Sequence, residues 1–104
     1  MTTTPLRVLI VDDERNIRLT LKGALEAIGL ETDAVYKGEE ALRNLTEKTY
    51  AAMILDLRMP GMDGLAVLRE VAERYAGLKV IIITAYGTVD AVVEAMKLGA
   101  VDFL

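Results

Sequence analysis

The chain has 104 residues, a formal net charge of -4, 53% hydrophobic residues and neither cysteine nor histidine. That length suits one domain spanning residues 1–104, able to bury a core without covalent staples. The missing cysteines exclude a disulfide framework or thiolate metal site and fit a reducing cytoplasm; the missing histidines exclude imidazole ligands and Ser-His or Cys-His nucleophile pairs.

The acidic balance argues against direct nucleic-acid contact by this segment. Its longest apolar run, Tyr50 to Leu55, is too short to cross a membrane. Met1 to Pro5 lacks the pattern of a signal peptide and reads as a lead-in. Chemistry must therefore rest on carboxylates, hydroxyls, backbone groups and a hard cation.

In chain order, Leu6 to Val11 is an apolar, β-branched run that predicts a buried strand, ended by Asp12-Asp13-Glu14. From Arg15 to Ile28, Ile17, Leu21, Leu25 and Ile28 recur at the spacing of one helix face, with Gly29 as the stop. Arg18 and Lys22 are expected on the opposite, solvated face. Leu30 to Tyr36 predicts a weaker strand, and Gly38 to Leu45 a short helix with Ala41, Leu42 and Leu45 inward.

A third strand, Ala51 to Leu55, delivers Asp56 at its end, and Pro60-Gly61 forces a turn. Asp63 is placed to cap a helix running to about Tyr75, with Leu65, Leu68, Val71 and Ala72 inward. Lys79 to Ile83 is the strongest strand signal and delivers Thr84 at its end. A loop at Tyr86-Gly87-Thr88, a helix from Val89 to Leu98, a stop at Gly99 and a fifth strand from Val101 to Leu104 complete the series.

Strands alternating with helices predict an α/β fold of three layers, a doubly wound parallel sheet with right-handed crossovers. In the flavodoxin-like order 2-1-3-4-5, strands one and three are neighbours, so Asp12, Asp13 and Asp56 meet at one sheet edge. Three carboxylates without histidine repel one another unless a cation lies among them, and oxygen-only ligands suit Mg2+. The Arg58 carbonyl is the simplest further ligand. With the cation in place Asp56 can act as a nucleophile toward a phosphoryl group, and Thr84 can offer a hydroxyl to it. Acids and threonines at strand ends are commonly solvated loop residues or caps; their conjunction at matching strand ends is what singles them out.

The stretches V-L-I-V-D-D-E (Val8 to Glu14), L-D-L-R-M-P-G-M-D-G (Leu55 to Gly64), I-I-T-A-Y-G-T (Ile82 to Thr88) and A-M-K-L-G-A-V-D-F-L (Ala95 to Leu104) resemble the receiver domain of two-component response regulators. The third and fourth are most similar to the N-terminal receivers of NtrC-type enhancer-binding transcriptional activators. The resemblance implies that Asp56 accepts a phosphoryl group from a partner histidine kinase, and that Asp12, Asp13 and the Arg58 carbonyl hold Mg2+, Asp13 most directly. It implies that Thr84 and Phe103 rearrange together on phosphorylation, and that an output domain, AAA+ and DNA-binding, lies elsewhere in the parent chain. A signalling domain of this kind turns over no small molecule.

Receivers carry a lysine just beyond the fifth strand and then a last helix, whereas this sequence ends at Leu104. The expectation is a receiver truncated before that helix, with an apolar patch on the sheet face of the first helix through which copies could self-associate as a homodimer. Two other readings compete. An interaction module that is never phosphorylated fits the missing lysine. An aspartate-nucleophile phosphohydrolase would want a general acid two residues after Asp56, where Arg58 stands.

Overall fold

The computed structural model describes residues 6–57, 59, 63–83, 93 and 95–100, together with the backbone of 102–103. In these, β1 (Arg7–Val11), α1 (Arg15–Ala27), β2 (Glu31–Val35), α2 (Gly38–Glu47), β3 (Ala52–Asp56), α3 (Gly64–Arg74), β4 (Lys79–Ile83) and β5 (Asp102–Phe103) follow in order. Residues 93 and 95–97 are also helical. The strands form one parallel sheet in the order β2-β1-β3-β4-β5, the arrangement expected of a doubly wound fold.

Strand periodicity sorts side chains onto two faces. On one, Leu9, Val11, Met53, Leu55, Val80 and Ile82 are buried with Ala41 and Leu45 of α2 and Val67, Leu68 and Val71 of α3. On the other, Val8, Ile10 and Ile54 are buried, while Ile81 and Ile83 stay partly exposed. That second face carries α1, which packs on β1 and β2.

The predicted faces of two helices need correction. In α1 no residue is fully buried: Ile17, Leu21 and Leu25 are half-buried and Ile28 is 74% exposed. Arg18 and Lys22, expected on the wet side, are half-buried too. At about 100° per residue they fall beside Leu25, on the edge of the packed stripe. Lys22 Nζ reaches the Thr32 carbonyl at 3.2 Å and its hydroxyl at 3.1 Å. In α3 the buried positions are Gly64, Val67, Leu68 and Val71, with Leu65 half-buried and Ala72 exposed, so the stripe is rotated from the expected one.

Two helices end at the glycines that signal a stop, whereas α3, whose stop signal is Gly77, closes earlier with Tyr75 as its C-cap. Gly29 and Gly99 both adopt positive φ, 92° and 111°, the left-handed geometry in which a side chain is strained. The residue after each returns its amide to the helix, Leu30 to the Leu25 carbonyl and Ala100 to the Ala95 carbonyl, both at 3.1 Å. Asp63 caps α3, its carboxylate accepting from the Ala66 amide at 2.9 Å.

At the amino edge of the sheet a second polar cluster ties β1, β2 and α2 together. The Tyr50 hydroxyl donates to Asp33 Oδ2 at 2.7 Å, and Asn44 Nδ2 donates to the Tyr50 hydroxyl at 3.2 Å. Lys48 and Arg7 also converge on Asp33, at 3.2 and 3.3 Å. Arg7 begins β1 and Tyr50 shortly precedes β3, so the network lies toward the end of the sheet opposite the three acids, around Asp33 in the middle of β2.

Candidate functional site

The parallel register between β1 and β3 pairs Val11 with Leu55. Extended by one residue, it carries Asp12 and Asp56 to the same carboxyl edge, and Asp13 follows in the turn. A carboxylate oxygen from each of Asp12, Asp13 and Asp56 lies within 4.8 Å of the others. The three acids named from the sequence are thus brought together by strand adjacency.

Their environments differ in a way the sequence does not reveal. Asp12 is only 1% exposed, Asp56 is half-buried and Asp13 is exposed. The Asp12 amide donates to the Val35 carbonyl at 3.1 Å, and its Oδ1 accepts from the Glu14 amide at 2.8 Å. The carboxylate thus folds back over the turn that follows it, a short-range bond for which aspartate is suited. Burial pushes the Asp12 carboxyl above the usual carboxylate range; the Glu14 amide opposes that shift, and the charges of Asp13 and Glu14 add to it.

The donor set fits a hard cation. It is all oxygen, it concentrates negative charge, and its most buried member sits where ionisation is unfavourable without a positive partner. Asp12, Asp13 and Asp56 are the described residues that could hold it.

Asp56 is also constrained from behind. Gly64, the first residue of α3, donates its amide to the Leu57 carbonyl at 3.1 Å. A Cβ at this position would collide with the Asp56 carbonyl oxygen and the Leu57 Cα. This close approach escaped the sequence reading, although its signal was present: a glycine directly after the capping Asp63, where most helices carry a side chain.

A further unanticipated contact is that of Arg18, whose Nη1 donates to the Asp12 carbonyl at 2.8 Å. Its guanidinium carbon lies 5.5 Å from the centroid of the Tyr36 ring, and Lys37 Nζ lies 5.3 Å from the same centroid. Both distances are within cation-π range.

Arg58, Thr84, Tyr86, the Pro60-Gly61 turn and most of the Val89 to Leu98 helix lie outside the described residues. Phe103 is placed by its backbone alone, in β5 opposite Ile82.

A family profile described as response regulator receiver domain matches residues 8–104. The DNA-binding transcriptional regulator NtrC of Klebsiella pneumoniae is 46% identical over 95 residues, covering 91% of this chain and 20% of that protein. The chain thus spans about a fifth of the length of the curated relatives it matches. Among solved structures, a response regulator receiver protein from Pseudomonas putida superposes with a TM-score of 0.93 at 32% identity, over 99% of this chain and 87% of that one. The response regulator TrrA of Thermotoga maritima, in complex with Mg2+ and BeF, gives a TM-score of 0.85 at 37% identity, over 95% and 84% of the two chains.

Proposed function

Because the chain belongs to the response regulator receiver domain family, we propose that it is a phosphorylation-controlled signal receiver in which Asp56 is the phosphoacceptor. The observation that carries this reading is the meeting of Asp12, Asp13 and Asp56 carboxylate oxygens within 4.8 Å at the carboxyl edge of β1 and β3.

Asp56 ends β3 and is half-buried, with its backbone backed by Gly64. One of its carboxylate oxygens supplies the electron pair for a new O–P bond. The donor is a phosphohistidine of a partner kinase. Its N–P bond breaks as the O–P bond forms, and the electron pair leaves on the imidazole nitrogen. Hydrolysis of the resulting acyl phosphate by water restores the carboxylate and resets the receiver.

Asp12 and Asp13 would hold Mg2+, with Asp13 the most accessible ligand and the Arg58 carbonyl a further one; that the Thermotoga maritima relative forms a complex with Mg2+ and BeF supports Mg2+ as the cation. Bound there, Mg2+ offsets the charge of the phosphoryl oxygens as they approach a cluster of acids. Thr84 follows β4 directly and supplies a hydroxyl to the phosphoryl group, and Phe103, in the neighbouring β5, responds to its movement. A dianionic group added at this edge is a charge change large enough to bias two arrangements of a surface.

The name of the NtrC relatives, DNA-binding transcriptional regulator, supports a transcriptional output, which we assign to AAA+ and DNA-binding parts of a longer cytoplasmic protein. Among the described residues no helix is long and apolar enough to cross a membrane. The partly exposed Ile81 and Ile83 are where self-association through the face of α1 would occur.

The test is intact-mass measurement after exposure to a small acyl-phosphate donor in Mg2+, with and without EDTA, on the chain and on Asp56→Asn. One phosphoryl increment is expected on the chain in Mg2+ alone. An equal increment on Asp56→Asn would defeat the assignment of the acceptor. No increment on either would favour the unphosphorylated interaction module.

A further inference from the structure

We infer that Arg18 is a positioning residue for the cation pocket, acting through the backbone of Asp12; the inference rests on the reading of the three acids as a cation site.

Asp12 is held at three points. Its amide bonds Val35 of β2, its carboxylate bonds the Glu14 amide, and its carbonyl receives Arg18 Nη1 at 2.8 Å. The first two are bonds to backbone amides and carbonyls close to the strand end. The third comes from a charged side chain on α1, in a helix that buries no residue fully.

Arg18 is in turn held by Tyr36, whose ring faces its guanidinium. Tyr36 directly follows Val35, the residue that takes the Asp12 amide. The contacts close a ring: the end of β1, the first turns of α1 and the end of β2. A planar guanidinium is suited to this, since it can donate in its plane and present its face to an aromatic ring at the same time. The carbonyl belongs to the peptide that joins Asp12 to Asp13, so a bond to it fixes that peptide plane and with it the position of Asp13 relative to Asp12.

Charge and position predict opposite outcomes. A positive group near a cation site repels the cation, so if Arg18 mattered only through its charge, removing it would tighten Mg2+ binding. If it holds the turn, removing it loosens binding despite the lost repulsion. A lysine keeps the charge but not the fork and ring contact, and falls between the two.

The experiment is calorimetric titration of MgCl2 into the chain, Arg18→Ala and Arg18→Lys, at low and high ionic strength, with thermal midpoints recorded for each. Mg2+ binding by Arg18→Ala is expected to be roughly three- to tenfold weaker, the size of one hydrogen bond of ordinary net strength. Arg18→Lys should recover part of this, and the difference should persist at high salt, where charge effects between exposed groups are screened. A lower thermal midpoint with unchanged affinity would mean a purely structural role and overturn the inference, as would equal or tighter binding by Arg18→Ala. Should Arg18→Ala fold poorly, Arg18→Lys decides alone: weaker binding at an unchanged midpoint supports the inference, and unchanged binding overturns it. If the unaltered chain takes up no Mg2+, the cation-site reading itself fails and carries the inference with it.

Discussion

Gly64 and Asp56 are packed so closely that the α3 residue can have no side chain: a Cβ there would overlap the Asp56 carbonyl oxygen. The start of α3 is thereby pressed against the end of β3, and the strand residue that carries the acceptor carboxylate has a rigid backing. Backbone, unlike the end of a flexible side chain, has little room to give.

Gly64→Ala is therefore expected to destabilise the fold by about 1–3 kcal/mol, the usual range for forcing extra volume into a packed site. On helix propensity alone the same change would stabilise by roughly 0.5–1 kcal/mol, so the sign of the shift in denaturant midpoint separates the two effects. Phosphoryl uptake at Asp56 should slow in the same variant, since the collision is with its own backbone.

Tyr50 supplies a second test, far from the acids. Burial, and then its hydrogen bond to Asp33, push its hydroxyl from the usual value up to about 12. Protonated tyrosine is the form the fold binds, so the stabilisation is complete below the ordinary tyrosine pKa of about 10 and is lost as pH rises through about 12. An ultraviolet absorbance titration should show a late tyrosine step that is absent from Tyr50→Phe. That variant should also lose about 1.5–3 kcal/mol at neutral pH, as a hydrogen bond to a carboxylate would predict.

Asp33 answers in acid. Burial alone would raise its carboxyl, but the Tyr50 hydroxyl, Lys48 and Arg7 outweigh burial and hold it below the usual value. A depressed carboxylate stabilises the fold above its unfolded pKa, about 3.9, and that contribution disappears as pH falls further toward the folded value. Asp33→Asn should lower stability at neutral pH and flatten the acid limb of the stability profile. An unchanged acid limb would mean that Asp33 is not among the groups that titrate on unfolding.

Mg2+ should raise the thermal midpoint of the chain, because a ligand that binds only the folded state stabilises it by about 1.4 kcal/mol for each tenfold excess over its dissociation constant. Asp13→Asn removes the most exposed of the three acids and should abolish most of that Mg2+-dependent rise. Without Mg2+ the same variant should melt no lower than the unaltered chain, since it relieves repulsion among the acids. A Mg2+-dependent rise of equal size in both would remove Asp13 from the ligand set.

The alternation of strands and helices, the stops at Gly29 and Gly99, the cap at Asp63 and the convergence of Asp12, Asp13 and Asp56 were all legible in the residue pattern. Each follows from a local rule: apolar periodicity, left-handed backbone at glycine, a short acceptor side chain before a helix, and the known edge at which parallel strands deliver their last residues. The faces of α1 and α3 were less legible. The apolar spacing of α1 puts Arg18 and Lys22 on its solvated face, yet their long stems lie along the packed edge and their heads reach the Asp12 and Thr32 carbonyls.

By itself, then, the sequence determined which elements form, their order and the three carboxylates at the sheet edge, because those depend on spacing within single segments. Only the tertiary structure decided that Asp12 is buried while Asp13 is exposed, that Arg18 grips the carbonyl of Asp12, and that Gly64 leaves no space beside Asp56. Those relationships join residues of different elements, and what sets them is how closely one element packs on another, which no spacing along a single segment records.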